Sequence, residues 1–344
     1  MTSPSHPTRT ALIAGFAAIY LIWGSTYLGI RIAVETIPAF LMASVRFLVA
    51  GGIVAGFIAC TRGLPAFGGA GGGQGFRATG KQWRDNAIIG GFLCLGGNGL
   101  VSWAEVKVPS GIATLIISAG PVFIVLMDWA VHAWARDGQR GTRPNALTFA
   151  GLALGFLGLA ILVGPDVLAA GVNGLDPWRV LGLLAATFFW GVGMMIMRYT
   201  RDPAEPFTAS GIQMLCGSGW LLLASFATGE LARFDPSVVT GRSVVAWFYL
   251  VVFGSLIGFS TFTWLMKHST PAKVSTYAYV NPIVAVFLGW LILHEPVSPR
   301  IFVAAVIIIA GVALITVAKT IRLAPAKPAE ALPPAAESLP QDSR

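Results

Sequence analysis

The sequence predicts an all-α integral membrane protein with ten transmembrane helices in two inverted five-helix repeats. Three observations lead there. Hydrophobic residues make up 55% of the 344 positions and charged residues 11%, with a mean hydropathy of +0.74, which leaves too little polar surface for soluble domains. Ten apolar runs reach or approach the roughly 20 residues that cross a hydrocarbon core. Finally, the two halves of the chain match one another collinearly over five helices.

The runs, each ended by charge, Pro or Gly, fall near 10–30, 37–60, 86–105, 109–134, 147–165, 178–198, 207–228, 243–265, 271–294 and 299–318. Arg9 precedes the first, and no small-residue cleavage site ends it, so it reads as a retained helix. Connections as short as 31–36 and 295–298 make neighbouring spans antiparallel, and ten spans put both termini on one side. With that side cytoplasmic, sixteen of the 23 Lys and Arg lie inside and six outside, Arg46 being the remaining one. The excess of positive charge therefore predicts cytoplasmic termini in the inner membrane. The organisation is a cytoplasmic N-terminus (1–9), a first repeat (10–165), a linker (166–177), a second repeat (178–319) and a cytoplasmic tail (320–344). The tail's APAKPAEALPPAAESLPQDSR cannot bury a core and reads as disordered, and GGAGGGQG (68–75) reads as a flexible loop.

Laying Trp23-Gly24 over Trp190-Gly191 puts Arg31 on Arg198, Arg46 on Gln213 and Gly52 on Gly219. Laying Pro121 over Pro282 puts Gly97 on Gly258 and Trp103 on Trp264. Five spans is an odd number, so the second copy enters the membrane from the other side, about a pseudo-two-fold axis in the membrane plane. Inverted repeats of this kind build secondary transporters that hold substrate near the midplane between two rocking halves. They also build channels, so a carrier and a pore both remain open.

The strings IWGSTYLGIRIAVETIPAFLMASVRFLVAG (22–51), GNGLVSWAEVKVPSGIATLI (97–116) and STYAYVNPIVAVFLGWLILHEPVS (275–298) resemble the EamA-type branch of the drug/metabolite transporter superfamily, closest to its YedA/PecM group. The resemblance covers roughly residues 10 to 320. It implies ten helices in two EamA repeats and export of small metabolites, often amino acids or amphipathic toxic compounds. One departure is visible: HEP (294–296) follows the fourth helix of the second repeat, where the first repeat has WARDGQRG (134–141).

Arg46 is the residue that most needs explaining. It lies about 14 Å along a helix from Ile37, close to the middle of a core about 30 Å thick. A charge at that depth points to a bundle interior or a water-filled cavity. It can grip an anionic group bidentately or brace helices through carbonyls, and its repeat mate Gln213 suits either role. Asp128 is too near the cytoplasmic end to pair with it. No carboxylate stands at mid-membrane to relay protons, although Glu105 lies nearer an end. Trp23 and Trp190 sit half-way along their helices, unlike the interfacial Trp83, Trp134, Trp178 and Trp247. They suit either an aromatic cavity wall or core packing. Pro121 and Pro282 are candidate hinges, each kinking its helix and freeing a carbonyl. Near Pro282 lie Ser275, Tyr277, Tyr279 and Asn281, and Asn98 is a buried amide among glycines. The predicted midplane cavity is therefore lined by Trp23, Arg46, Asn98, Trp190, Gln213, Tyr279 and Asn281.

Other classes find no support in the chain. There is no GxSxG, HExxH or paired-carboxylate motif, and GGAGGGQG lacks the Lys-Ser/Thr of a phosphate-binding loop. Cys60, Cys94 and Cys216 are single residues in apolar runs. No enzyme, cofactor, metal or nucleic-acid partner is expected. The expected partners are a small-molecule substrate and the lipid bilayer.

Overall fold

The computed structural model describes residues 8–62, 78–134, 145–168, 176–200, 204–269, 274, 277–295 and 297–323, and among them there is no strand. In chain order the main helices are α1 Arg9–Ala33, α2 Ala39–Arg62, α3 Gly80–Glu105, α4 (Ser110–Ile117 continued by Gly120–Trp134) and α5 Ala146–Leu168. The second half supplies α6 Pro177–Tyr199, α7 Pro206–Ala227, α8 Gly241–His268, α9 Tyr277–Leu293 and α10 Pro299–Leu323. Seven of these are long and apolar enough to cross a bilayer, and shorter apolar stretches in α5, α9 and α10 complete the ten-helix membrane fold. The glycine-rich stretch 68–75, the loop 135–144 and the tail from 324 lie outside the described residues.

Local chemistry explains where helix ends depart from the apolar runs. α3 begins at Gly80 rather than 86 because Thr79 and Gln82 form a reciprocal capping box. Thr79 Oγ1 accepts from the Gln82 N–H at 3.2 Å, and Gln82 Oε1 accepts from the Thr79 N–H at 2.9 Å. The polar segment KQWRDN therefore stays helical before the membrane begins. In α4 the expected kink is a full interruption at Ser118–Ala119. Pro121 then falls in the first turn of the next segment, where a missing N–H is harmless. Pro282, in contrast, lies inside α9 and leaves the Ala278 carbonyl without its helical donor.

Both third helices pass through a π-helical stretch, Gly91–Gly99 in α3 and Leu250–Phe259 in α8. With Gly97 aligned on Gly258, the two stretches overlap, so the rare geometry recurs in each repeat. Corresponding helices of the two repeats also pack on one another, α2 on α7 and α5 on α10. The second contact needs glycine: a Cβ on Gly311 would lie 2.7 Å from both the Gly151 oxygen and the Gly155 nitrogen, and one on Gly158 would lie 2.7 Å from Ile308. Large apolar side chains such as Phe57, Phe226 and Phe302 are exposed on the outer surface, as lipid solvation requires.

Gly311→Val should force α5 and α10 apart and lower stability by about 1–3 kcal/mol. Thermal unfolding in detergent measures this, and a melting temperature equal to wild type would rule out the close approach.

Candidate functional site

The site is built on two aromatic–glycine contacts between the repeats. A Cβ on Gly258 would lie 2.6 Å from Trp23 Nε1, and one on Gly97 would lie 2.6 Å from Trp190 Cε3. Each repeat thus lays its first-helix tryptophan on a π-helical glycine of the other repeat. The two indoles then meet edge to face, with centroids 5.6 Å apart at 83°. Phe262 lies 5.0 Å from Trp23 and 5.5 Å from Trp190, and Tyr277 lies 5.1 Å from Trp23. The Trp190 Nε1–H donates to the Tyr277 hydroxyl at 3.1 Å.

Beside this cluster is a central cavity with about 90 Å³ open to the centre of a water molecule. Since one water needs roughly 10–15 Å³ by this measure, it has room for several. Its wall includes Trp23, Thr26 and Tyr27 of α1, Arg46 of α2, Asn98 of α3, and Thr114 and Ser118 of α4. Thr187 and Trp190 of α6, Phe259 of α8, and Tyr277, Asn281 and Pro282 of α9 complete the polar and aromatic lining.

Arg46 is 3% exposed and starts from a different depth than the sequence suggests. Because α2 begins at Ala39, Arg46 is seven residues in, about 10 Å from the helix end. Its Nε donates to Ser255 Oγ at 2.8 Å, and the guanidinium carbon lies 4.8 Å from the Phe47 ring centre. Nη1 is buried without a hydrogen-bond partner. Gly254 makes room for the head group: a Cβ there would stand 2.7 Å from Nη2. Asn98 Nδ2 donates to the Leu93 carbonyl at 3.4 Å, a bond across the π-helical turn. The Asn281 amide nitrogen, turned toward carbonyls, reaches Tyr277 O at 3.2 Å and Tyr20 O at 3.1 Å, tying α9 to α1.

Trp23, Arg46, Asn98, Trp190 and Asn281 thus share one cavity, and Gln213 stands apart from it. Gln213 Nε2 donates to Asn86 Oδ1 at 2.8 Å, and both line a separate pocket with Arg198 and Lys267 at the end that bears the termini. The inverted axis explains the split. Equal counts along α2 and α7 lead from opposite faces, so repeat mates lie on opposite sides of the midplane. The side chains of Tyr279, Pro121 and Asp128 lie outside the described residues. Sequence reasoning did not identify Phe262, Ser255 or Thr187 as neighbours of the site. It did align Gly97 with Gly258, and that pairing was the available signal for the tryptophan seats.

One charged group outside the spans shapes the entry to α2. Glu230 Oε2 accepts from the Phe40 N–H at 2.8 Å and the Leu41 N–H at 3.1 Å. Burial raises its carboxyl above the ordinary glutamate value, and these donors offset only part of that.

Residues 10–164 and 177–317 each match the EamA-like transporter family. The chain belongs to that family. It is 33% identical over 320 residues to a protein of Escherichia coli K12 named "Uncharacterized inner membrane transporter YedA", covering 92% of this chain and 94% of that one. It is 24% identical over 307 residues to Protein PecM of Dickeya dadantii, covering 86% and 88%. A solved crystal structure 22% identical shares the fold at a TM-score of 0.60, covering 90% of this chain and 98% of that chain. This EamA protein is a multi-pass membrane transporter.

Gly258→Ala should displace the Trp23 indole and lower stability by about 1–3 kcal/mol. Combining it with Trp23→Leu should recover part of that loss, giving a coupling of roughly 0.5–3 kcal/mol. Unfolding of the two single variants and the double variant in mixed micelles measures the cycle, and strict additivity would mean that the two residues do not touch.

Proposed function

We propose that this transporter exports small amphipathic metabolites that carry an anionic group, amino acids among them, by alternating access around the central cavity. One observation carries the reading: the cavity wall includes a buried arginine whose Nη1 has no partner. A guanidinium left that way is costly, and a carboxylate would satisfy it bidentately. The aromatic faces of Trp23, Trp190 and Tyr277 would hold the apolar part of such a solute, and Asn98 and Asn281 would orient it. Pro282, together with the interruption before Pro121, would let α9 and α4 flex as the halves rock.

In this reading both termini are cytoplasmic, as the distribution of Lys and Arg favours. The membrane is the inner one, in keeping with the name that the E. coli relative carries. Export would load at the face bearing the termini.

Proteoliposomes preloaded with unlabelled neutral and aromatic amino acids should take up labelled amino acid by counterflow. Arg46→Gln should lower that uptake at least tenfold, about 1.4 kcal/mol of binding, while the protein stays monodisperse. Uptake kept by the variant would make Arg46 a helix brace. No uptake by folded wild type would exclude amino acids, and conductance without counterflow would identify a pore.

A further inference from the structure

The pocket at the end that bears the termini is roomier than the central cavity, with about 270 Å³ open to the centre of a water molecule against about 90 Å³. Its walls come from α3, α6, α7 and α8, so both repeats contribute. On α7 it is lined as far as Gln213, seven residues past Pro206 and about 10 Å from the helix end.

The amide at that depth has a fixed orientation. Asn86 Nδ2 donates to the Gln82 carbonyl at 2.8 Å, which turns Asn86 Oδ1 toward Gln213. Gln213 Nε2 faces that oxygen, and Gln213 Oε1 is left buried without a donor. Swapping the Gln213 amide would only bring two acceptor oxygens together. The hydroxyls of the lining do not supply the missing proton. Thr263 donates to the Phe259 carbonyl at 3.0 Å, and Thr200 to the Ile196 carbonyl at 2.8 Å. A buried acceptor in this state costs free energy that a donor on a ligand would recover.

The outer part of the pocket has the opposite character. Arg198, near the end of α6, and Lys267, near the end of α8, are both exposed there, and the described lining includes no carboxylate. Cations outside and an unmet acceptor inside complement a solute that has both an anionic group and an ammonium or hydroxyl. Met197 and Met266 add thioether surface that adapts to varied apolar groups.

The pocket is also in line with the central cavity. Along α6, Trp190 lines the cavity and Met197 the pocket, about 10 Å apart, with the buried Met194 between them. Along α8, Phe259 lines the cavity and Thr263 the pocket, with the buried Phe262 between them. We propose that this pocket is a second solute site, where an anionic, donor-bearing metabolite docks before it passes the Met194–Phe262 layer to Arg46. Resting on the export reading above, it is the loading site on the cytoplasmic side. Arg198 and Lys267 hold the anionic group there, and Gln213 accepts from the donor.

Equilibrium binding to the full chain in phosphatidylcholine nanodiscs tests this, with labelled phenylalanine as the probe. Wild type should bind two molecules per chain, and Arg46→Gln should bind one. In the Arg46→Gln background, Lys267→Gln and Arg198→Gln, both surface changes, should each weaken the remaining site about fivefold. A remaining site indifferent to both, or a single wild-type site lost in Arg46→Gln, would overturn the proposal. Phenylpropionate keeps the carboxylate and lacks the ammonium, so it should bind the remaining site about tenfold more weakly than phenylalanine. Equal affinity would overturn the part given to Gln213. Phosphoethanolamine, which pairs a phosphate with an ammonium, separates this proposal from the amino-acid reading. Binding of it that is sensitive to Lys267→Gln, with no phenylalanine bound, would end the amino-acid reading and uphold the pocket as a site. No binding of either probe by folded wild type would overturn the proposal. So would loss of the site on adding phosphatidylethanolamine to the bilayer, since a lipid headgroup would then be the occupant.

Discussion

Two tryptophans seated on two glycines hold the repeats in register. A Cβ at Gly97 or Gly258 would occupy the space of the Trp190 or Trp23 ring, so the contact exists only because both positions lack one. The π-helical stretches present those glycines toward the opposite repeat. Once seated, the indoles meet each other and gather Phe262 and Tyr277. The central cavity lies beside that cluster, so its shape follows from an interaction between repeats rather than within one.

The bundle satisfies most of its buried polar groups locally. Thr26 donates to the Trp23 carbonyl at 2.7 Å, Thr114 to Ser110 at 2.7 Å, Thr187 to Leu183 at 2.7 Å and Ser102 to Asn98 at 2.8 Å. Such back-bonding lets a hydroxyl face a cavity wall without needing a distant partner. Against that background the unsatisfied atoms stand out. Among the described residues they belong to Arg46, Glu105, Gln213 and Ser225. They occupy different places: Arg46 lines the cavity, Glu105 ends α3 opposite the termini, and Gln213 lines the pocket near the termini.

Much of this was legible in the sequence, for identifiable reasons. Membrane helices announce themselves through apolar run length, which is why α1, α2, α6 and α7 fall within three residues of where composition puts them. α3 was misjudged at its start because a capping box, not apolarity, sets that boundary. Trp23, Arg46 and Asn281 could be read as cavity residues because each is costly or bulky in mid-helix. Gln213 was misplaced although the odd number of spans per repeat already gave its helix the opposite entry face, which puts equal counts along α2 and α7 on opposite sides of the midplane. The π-helical turns left only their glycines as a trace, and glycine has many other uses in a membrane bundle. Glu105 was legible as a carboxylate near a helix end, but its complete burial was not, because that depends on other helices packing over the end of α3.

The symmetry is kept in the apolar framework and broken in the charges. Trp23 and Trp190, Gly97 and Gly258, and the two π-helical stretches are true mates. Arg46 has a glutamine as its mate, however, and a cation has no equivalent in an amide. Glu230 and Glu295 both come from the second repeat and both cap helices of the first, at the same end. At the other end α7 is capped by its own Glu205, which accepts from the Phe207 and Thr208 N–H groups, each at 3.1 Å. A molecule with matched charges would present the same polar bonds at both ends. Here the bonds between repeats differ from end to end, carboxylates on backbone N–H groups opposite the termini and the Gln213–Asn86 amide pair near them. The two ends of a framework built from near-identical halves are therefore chemically unlike.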